Sequence, residues 1–295
     1  MSRGGLIDRM DKMAKKMRHQ GIWGSLDFTS NLRWLGLCAF ISMLALPLKS
    51  YADIDQLGLD TVTNFAVYAG GSLTVNGATT ANGDVGLGPN GTQNFGDAFT
   101  INGTYWADST VGATVAAVSA YAALLPATTN FTRINSATTI IGNGGTNVID
   151  VGTISLNGTF HTLTLQGGPN DVFVFNVSNN VAFLGTWPTL MSLSSGVATN
   201  HILFNLLNTS STANALTVTV ANVTLFGTFI APDASMDIIG SDDTIYGGLF
   251  AGGNNLTLNS GTITADVFEI PEPSSFALVG ISCLIGLGLR SRRRR

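Results

Sequence analysis

Two stretches of the chain fall into register at an offset of 20 residues. VTLFGTFIAPDASMDIIGS starts at Val223, and DTIYGGLFAGGNNLTLNSG starts at Asp243. Phe226 then falls on Tyr246, Gly227 on Gly247, Phe229 on Leu249, Ile230 on Phe250, Ala231 on Ala251, Met236 on Leu256 and Ile238 on Leu258. Leu216 and Val218 extend the last two columns backwards. Apolar meets apolar and glycine meets glycine. A β-sandwich has no reason to keep such a register, whereas a β-helix must, because each rung stacks its side chains on the rung below. Met236 and Leu256 are therefore expected on adjacent rungs. Asn-Gly pairs at 76–77, 82–83, 90–91, 102–103 and 157–158 supply corners, since both residues accept positive φ. The N-terminal half shows no clean period, which predicts irregular or interrupted rungs there. One segment breaks the β pattern. Asp108 to Leu125 is Ala-rich, opens with capping candidates Asp108 and Ser109, and stops at Pro126, which predicts the one substantial helix.

The two ends locate the protein. Trp34 to Leu48 is apolar, follows Lys12, Lys15, Lys16, Arg18 and Arg33, and leads to Ser50-Tyr51-Ala52. This is the layout of a signal peptide, with signal peptidase cutting between Ala52 and Asp53. At the other end Pro271-Glu272-Pro273 interrupts regular structure. An uncharged run from Phe276 to Leu289 follows, then Arg290 and Arg292 to Arg295. The run is short for a permanent anchor, and its basic flank suits the cytoplasmic side. Three segments result: a signal peptide with its helix at 1–52, an ectodomain at 53–270, and a tail with a short membrane helix at 271–295. The tail resembles the PEP-CTERM sorting signal of Gram-negative bacteria. That resemblance implies an exosortase partner, a transient stay at the inner membrane, and release or attachment at the cell surface. It also points to exopolysaccharide as a companion material.

Charge excludes one class of partner. Residues 53–270 carry Arg133 alone against thirteen aspartates and Glu269, a formal net charge of −13. Such a surface repels phosphate backbones, so no nucleic acid is expected. Both cysteines, Cys38 and Cys283, lie in the terminal segments, so the ectodomain has neither disulfide nor thiolate metal site. No nucleophile elbow, zincin helix or phosphate loop occurs. His161 and His201 read as packed or surface imidazoles. Asp242-Asp243 is the one candidate for a hard cation, and a solvated corner is the preferred reading. No catalytic residue, metal or cofactor is assigned. A β-helical polysaccharide lyase needs a base, and Arg133 alone serves that reading poorly.

FAVYAGGSLTVNGATTANGDVGLGP (Phe65 to Pro89), the Ala-rich helix and LTLQGGPNDVFVFNV (Leu163 to Val177) resemble the bacterial ice-binding-like, adhesive domain. ILFNL (Ile202 to Leu206) and GTFIAPDASMDI (Gly227 to Ile238) are similar to the choice-of-anchor A domain. The resemblance implies an all-β, right-handed, partly irregular and discontinuous β-solenoid with one long helix alongside. Fold alone names no ligand. A structural or adhesive surface protein leads, with ice binding and then a polysaccharide-acting enzyme as alternatives. For ice, the 20-residue register places Thr224, Thr244 and Thr264 in one column, opposite Leu225 and Ile245 if it faces outward. The neighbouring column of Thr217, Asp237 and Thr257 carries a charge that spoils an ice match.

Overall fold

Parallel pairing of short β-branched strands builds the molecule, and every strand pair among the described residues is parallel. The computed structural model describes residues 62, 64–96, 98–157, 161–184, 190–209 and 214–266. Residues 1–61, with Ala52 and Asp53, and residues 267–295, with Pro271, Glu272, Pro273, Arg290 and Arg292, lie outside the described residues. No described helix is long and apolar enough to cross a membrane.

The chain first makes two three-sided rungs. These are β1 (Phe65–Ala69), β2 (Ser72–Val75) and β3 (Thr79–Asn82), then β4 (Asp84–Leu87), β5 (Thr92–Phe95) and β6 (Phe99–Ile101). The short β7 (Tyr105–Trp106) and the helix α1 (Val111–Leu124) follow. The middle of the chain contributes β8 (Thr129–Ile134), β9 (Thr138–Ile141), β10 (Thr146–Leu156), β11 (Leu163–Gln166), β12 (Val172–Phe183) and β13 (Met191–Ser194). Three rungs close it: β14 (Ile202–Leu206), β15 (Asn214–Val218) and β16 (Thr224–Phe226); β17 (Thr228–Ala231), β18 (Ser235–Ile238) and β19 (Asp243–Tyr246); β20 (Leu249–Ala251), β21 (Leu256–Leu258) and β22 (Gly261–Thr264).

Spatial order differs from chain order. β20 pairs with β1, β21 with β2 and β22 with β3, so the N-terminal rungs stack on the C-terminal end. α1 then carries the chain back along the stack to β8. Its 14 residues span about 21 Å at the usual helical rise. β10 and β12 run through a corner, which joins two sides into one curled 14-stranded sheet. The third side is a five-stranded sheet, β16-β19-β22-β3-β6, with a three-stranded sheet, β13-β11-β9, as a separate piece.

The register forecast from the sequence is present. Met236 pairs with Leu256, Ile238 with Leu258, Phe226 with Tyr246, and Phe229 with Leu249. Leu216 and Val218 continue those columns. The first two rungs are regular, and the interruption expected of the N-terminal half comes after them, with α1 and the bulged, wider rungs that follow it. Leu73 pairs with Gln93, and Thr80 with Thr100, again at an offset of 20. The irregular rungs are in the middle, where Ile149, Phe175 and Phe204 follow one another at wider and unequal offsets. The helix begins at Val111, three residues after Asp108. Asp108 takes a left-handed conformation (φ 57°), and Ser109 Oγ accepts from the Val111 N–H at 3.4 Å. Gly227 and Gly247 turn successive corners at φ +106° and +143°, and a Cβ on Gly247 would strike the carbonyl of Gly227. Only glycine allows both that backbone and that approach.

Inward columns form the core. In one, Phe175, Phe204 and Phe229 lie parallel, with ring centroids 4.6 Å apart at each step. All three are fully buried. A second apolar layer packs α1 onto the outside of the first side, through Val111, Val115, Val118 and Ala122 against Tyr68, Phe250, Ile230 and Leu203. Phe204 has an aromatic neighbour above and below, and removing it opens a cavity that two rigid strands cannot close. Phe204→Ala is expected to destabilise the fold by about 3–5 kcal/mol, read from chemical denaturation. A loss under about 1 kcal/mol would show that the stack is not a principal support.

Candidate functional site

The five-stranded third side presents an uncharged outer surface. Alternation along each strand sends Leu225, Ile245, Ile263 and Ala81 inward, all buried. The residues beside them face out. Thr224 pairs with Thr244, Thr244 with Thr262, Thr262 with Thr80, and Thr80 with Thr100. Five threonines thus form one column over five rungs, half-buried at the first four positions and exposed at Thr100. Hydroxyl and methyl repeat at the strand spacing of about 4.8 Å. The next outward column reads Phe226, Tyr246, Thr264, Asn82 and Asn102. Asn102 Nδ2 donates to Asn82 Oδ1 at 2.8 Å, and Asn82 Nδ2 donates to Thr264 Oγ1 at 3.2 Å. Phe226 and Tyr246 stack nearly parallel, with centroids 5.9 Å apart. These two bonds tie Asn102, Asn82 and Thr264 together along the edge of the uncharged surface.

Thr224 and Thr244 stand together as the sequence register indicates, but Thr264 does not join them. Thr264 sits in the adjacent column, beside Tyr246, and Thr262 takes its expected place. The rung between β19 and β22 is two residues shorter than its predecessor on this side, so a fixed offset of 20 overshoots. Thr80 and Thr100 escaped sequence reasoning because they precede the repeat by well over a hundred residues. One signal was available: ATTANG at 78–83 and AFTING at 98–103 repeat at the same offset of 20. The neighbouring side carries Thr217, Asp237, Thr257, Thr74 and Asn94 in a single outward column. Asp237 accepts from Asn214 Nδ2 at 3.3 Å and places a carboxylate in the middle of that face.

A family model described as an ice-binding-like adhesive domain matches residues 49–267, and the PEP-CTERM protein-sorting motif matches residues 269–294. Several solved structures share the fold. The ice-binding protein of the Antarctic ascomycete Antarctomyces psychrotrophicus aligns with a TM-score of 0.56 at 21% identity, over 72% of this chain and 98% of its own. The ice-binding protein_1 DUF3494 domain of Shewanella frigidimarina gives 0.54 at 20%, over 70% and 95%. The antifreeze ice-binding protein of an Arctic yeast gives 0.55 at 16%, over 74% and 98%. No curated protein sequence matches the chain.

The remaining candidates do not gather into a site. His161 borders β11, while His201 is buried at the end of a 3-10 turn before β14. Among the described residues no three His, Cys, Asp or Glu side chains lie close enough to share a metal ion. Asp242 is exposed at φ 60°, as a corner residue should be, but Asp243 is not solvated. It is 2% exposed at the inward start of β19, where Oδ1 accepts from the Val223 N–H at 3.0 Å and Oδ2 has no partner. Burial pushes its pKa up to about 6; the Val223 N–H opposes the rise, and the Asp242 carboxylate adds to it. The folded protein therefore binds this proton more tightly than the unfolded chain does. Its stabilising contribution is full below about pH 4 and is lost as the pH rises through about 6, a change of about 2–3 kcal/mol. Asp243→Asn keeps the acceptor for Val223 and has no charge to bury. Thermal melts of this variant should lose most of the decline between pH 4 and 6.5 and show a higher midpoint at pH 7.5; an unchanged pH profile would refute the assignment.

Proposed function

The chain belongs to the ice-binding-like adhesive domain family, and from that premise we propose that it is an exported surface protein that adheres to ice through its threonine face. The observation that carries the proposal is the five-rung column of Thr224, Thr244, Thr262, Thr80 and Thr100 on a side without charge. Water at such a face meets hydroxyls and methyls at one fixed spacing. Ladder bonds have already fixed part of the polar fringe, so less ordering remains to be done on binding. Relatives of the same fold are ice-binding proteins by name. We assign the winding to the right-handed β-solenoids, with residues 53–270 as the mature ectodomain.

One observation favours a second reading, a structural or adhesive protein whose ligand is not ice. Phe226 and Tyr246 stand beside the threonines and interrupt the flat polar surface, and Tyr246 is 40% exposed. Exposed aromatics are common on adhesive surfaces. Export goes with both readings, because the PEP-CTERM motif marks the chain for the cell surface. Processing is assigned to signal peptidase at Ala52-Asp53 and to an exosortase near Pro271-Glu272-Pro273, after a transient stage in the inner membrane of a Gram-negative cell.

Thr244→Tyr separates the readings. Thr244 lies second in the column on an exterior face, so the fold should tolerate the change. Ice-recrystallisation inhibition should be present in the parent and lost in this variant at equal folded concentration. Inhibition that survives on the folded variant excludes the ladder as the site, and its absence from the parent favours the second reading. In an exosortase-bearing host, mass spectrometry of the exported protein should find Asp53 first and no arginine tail. An intact Arg295 would rule out that processing.

A further inference from the structure

The column of residues beneath α1 changes character where the helix stops. Reading along the stack it runs Tyr68, Phe250, Ile230, Asn205, Asn176, Asp150 and Asn130. The three apolar members lie under the helix and seal it to the sheet. The next two are amides under its last turns. Ser119 Oγ donates to Asn205 Oδ1 at 2.6 Å, and Asn205 Nδ2 donates to Ser119 O at 3.0 Å. Asn205 Nδ2 also donates to Asn176 Oδ1 at 2.9 Å. Asn176 Nδ2 donates to Ala122 O at 3.0 Å and to Asp150 Oδ1 at 3.1 Å. Each side chain thus donates to the next, and the chain of donors ends on the Asp150 carboxylate. The helix ends at Leu124, short of that point.

A cavity of about 320 Å³ opens there, lined by Asn130, Phe131, Asp150, Asn176, Ser178 and Leu207 among others. Helix pinning explains Asn205 and Asn176, whose amides are almost wholly buried. It does not explain a carboxylate at the cavity, held in place by a relay of three side chains. Asp150 Oδ1 takes the Asn176 donor at 3.1 Å, and the carboxylate borders the cavity. Asn130 and Ser178, both exposed, add an amide and a hydroxyl, each able to donate and to accept. Leu207 supplies apolar surface, while Phe131, in register with buried Val151, packs against the main core.

We propose that this cavity binds a neutral sugar residue. Vicinal hydroxyls each donate and accept, and a carboxylate beside an amide and a hydroxyl matches that mixture. The CH face of a pyranose needs apolar contact, which Leu207 offers. A cation would use only the acceptors, and an anion is repelled by Asp150. Size agrees, since small-molecule pockets begin at about 300 Å³. The site lies on the helix-bearing side, so it is independent of the threonine ladder and of the ice reading.

The test uses the full exported protein, with saturation-transfer NMR and calorimetry against glucose, galactose, mannose and N-acetylglucosamine, and with glucuronate and methylammonium as charged controls. At least one neutral sugar should bind saturably, and neither control should compete with it. Asp150→Asn should weaken that binding about tenfold or more, since a hydrogen bond to a charged acceptor is lost. Ser178→Trp, on an exposed position, should fill the cavity and abolish binding while the melting temperature stays near that of the parent. If Asp150→Asn fails to fold, Ser178→Trp decides alone. Binding of none of the four sugars, preference for methylammonium, or undiminished sugar binding by folded Ser178→Trp would overturn the proposal.

Discussion

Each rung must present its neighbours with side chains of matching size at one spacing, and the rest of the structure follows from that requirement. Parallel strands lie about 4.8 Å apart, so an inward column is a stack of like on like. The Phe175–Phe204–Phe229 column meets the condition with rings 4.6 Å apart. Val218, Ile238, Leu258 and Val75 meet it with aliphatic groups. Rungs of unequal length can stack as long as these columns hold, because extra residues leave the strands at the corners. That is why the middle rungs wander in length while their Ile149, Phe175 and Phe204 column stays intact.

A stack built this way has two ends, and its chain does not have to be laid down in spatial order. Here β1 to β7 sit on the far end of the C-terminal rungs, which forces a return path along the outside. The helix is that path. It covers the outward apolar residues of one side, Tyr68, Phe250, Ile230 and Leu203, so the second core layer exists because the chain must come back. At the far end, Phe95 packs edge-on against Phe99 and Tyr105, which closes the last rung with aromatic bulk.

The outer faces divide the work among themselves. One side is roofed by α1. A second carries Asp237 within its threonines. The third has no charge on its outward columns and a ladder of amide and hydroxyl bonds along one edge. Two acidic residues elsewhere, Asp171 and Asp84, serve the backbone. Asp171, almost wholly buried, accepts from the Gly144 and Gly168 N–H groups and from Asn147 and so fixes a corner; these bonds outweigh the effect of its burial and hold its pKa below the usual carboxylate value. Asp84 accepts from the Thr104 N–H and the Trp106 indole and fastens the last rung.

The sequence by itself determined the kind of fold, the sorting motif that follows it and the neighbours within the repeat. Local register was enough for Met236 on Leu256 and Thr224 on Thr244, because one rung follows another directly there. The Ala-rich segment was legible as a helix to within three residues of its start. Only the tertiary structure decided how many threonines share a column. Thr262 displaces Thr264 because one rung is two residues shorter, and a period read from one pair of rungs cannot reveal that. Thr80 and Thr100 join because β3 stacks on β22 across most of the chain length, a pairing set by the return of α1 and not by any local pattern. The burial of Asp243 and the cavity at Asp150 were hidden for the same reason. A carboxylate's surroundings are made by residues distant in sequence, and alternation along its own strand says which side it faces but not what waits there.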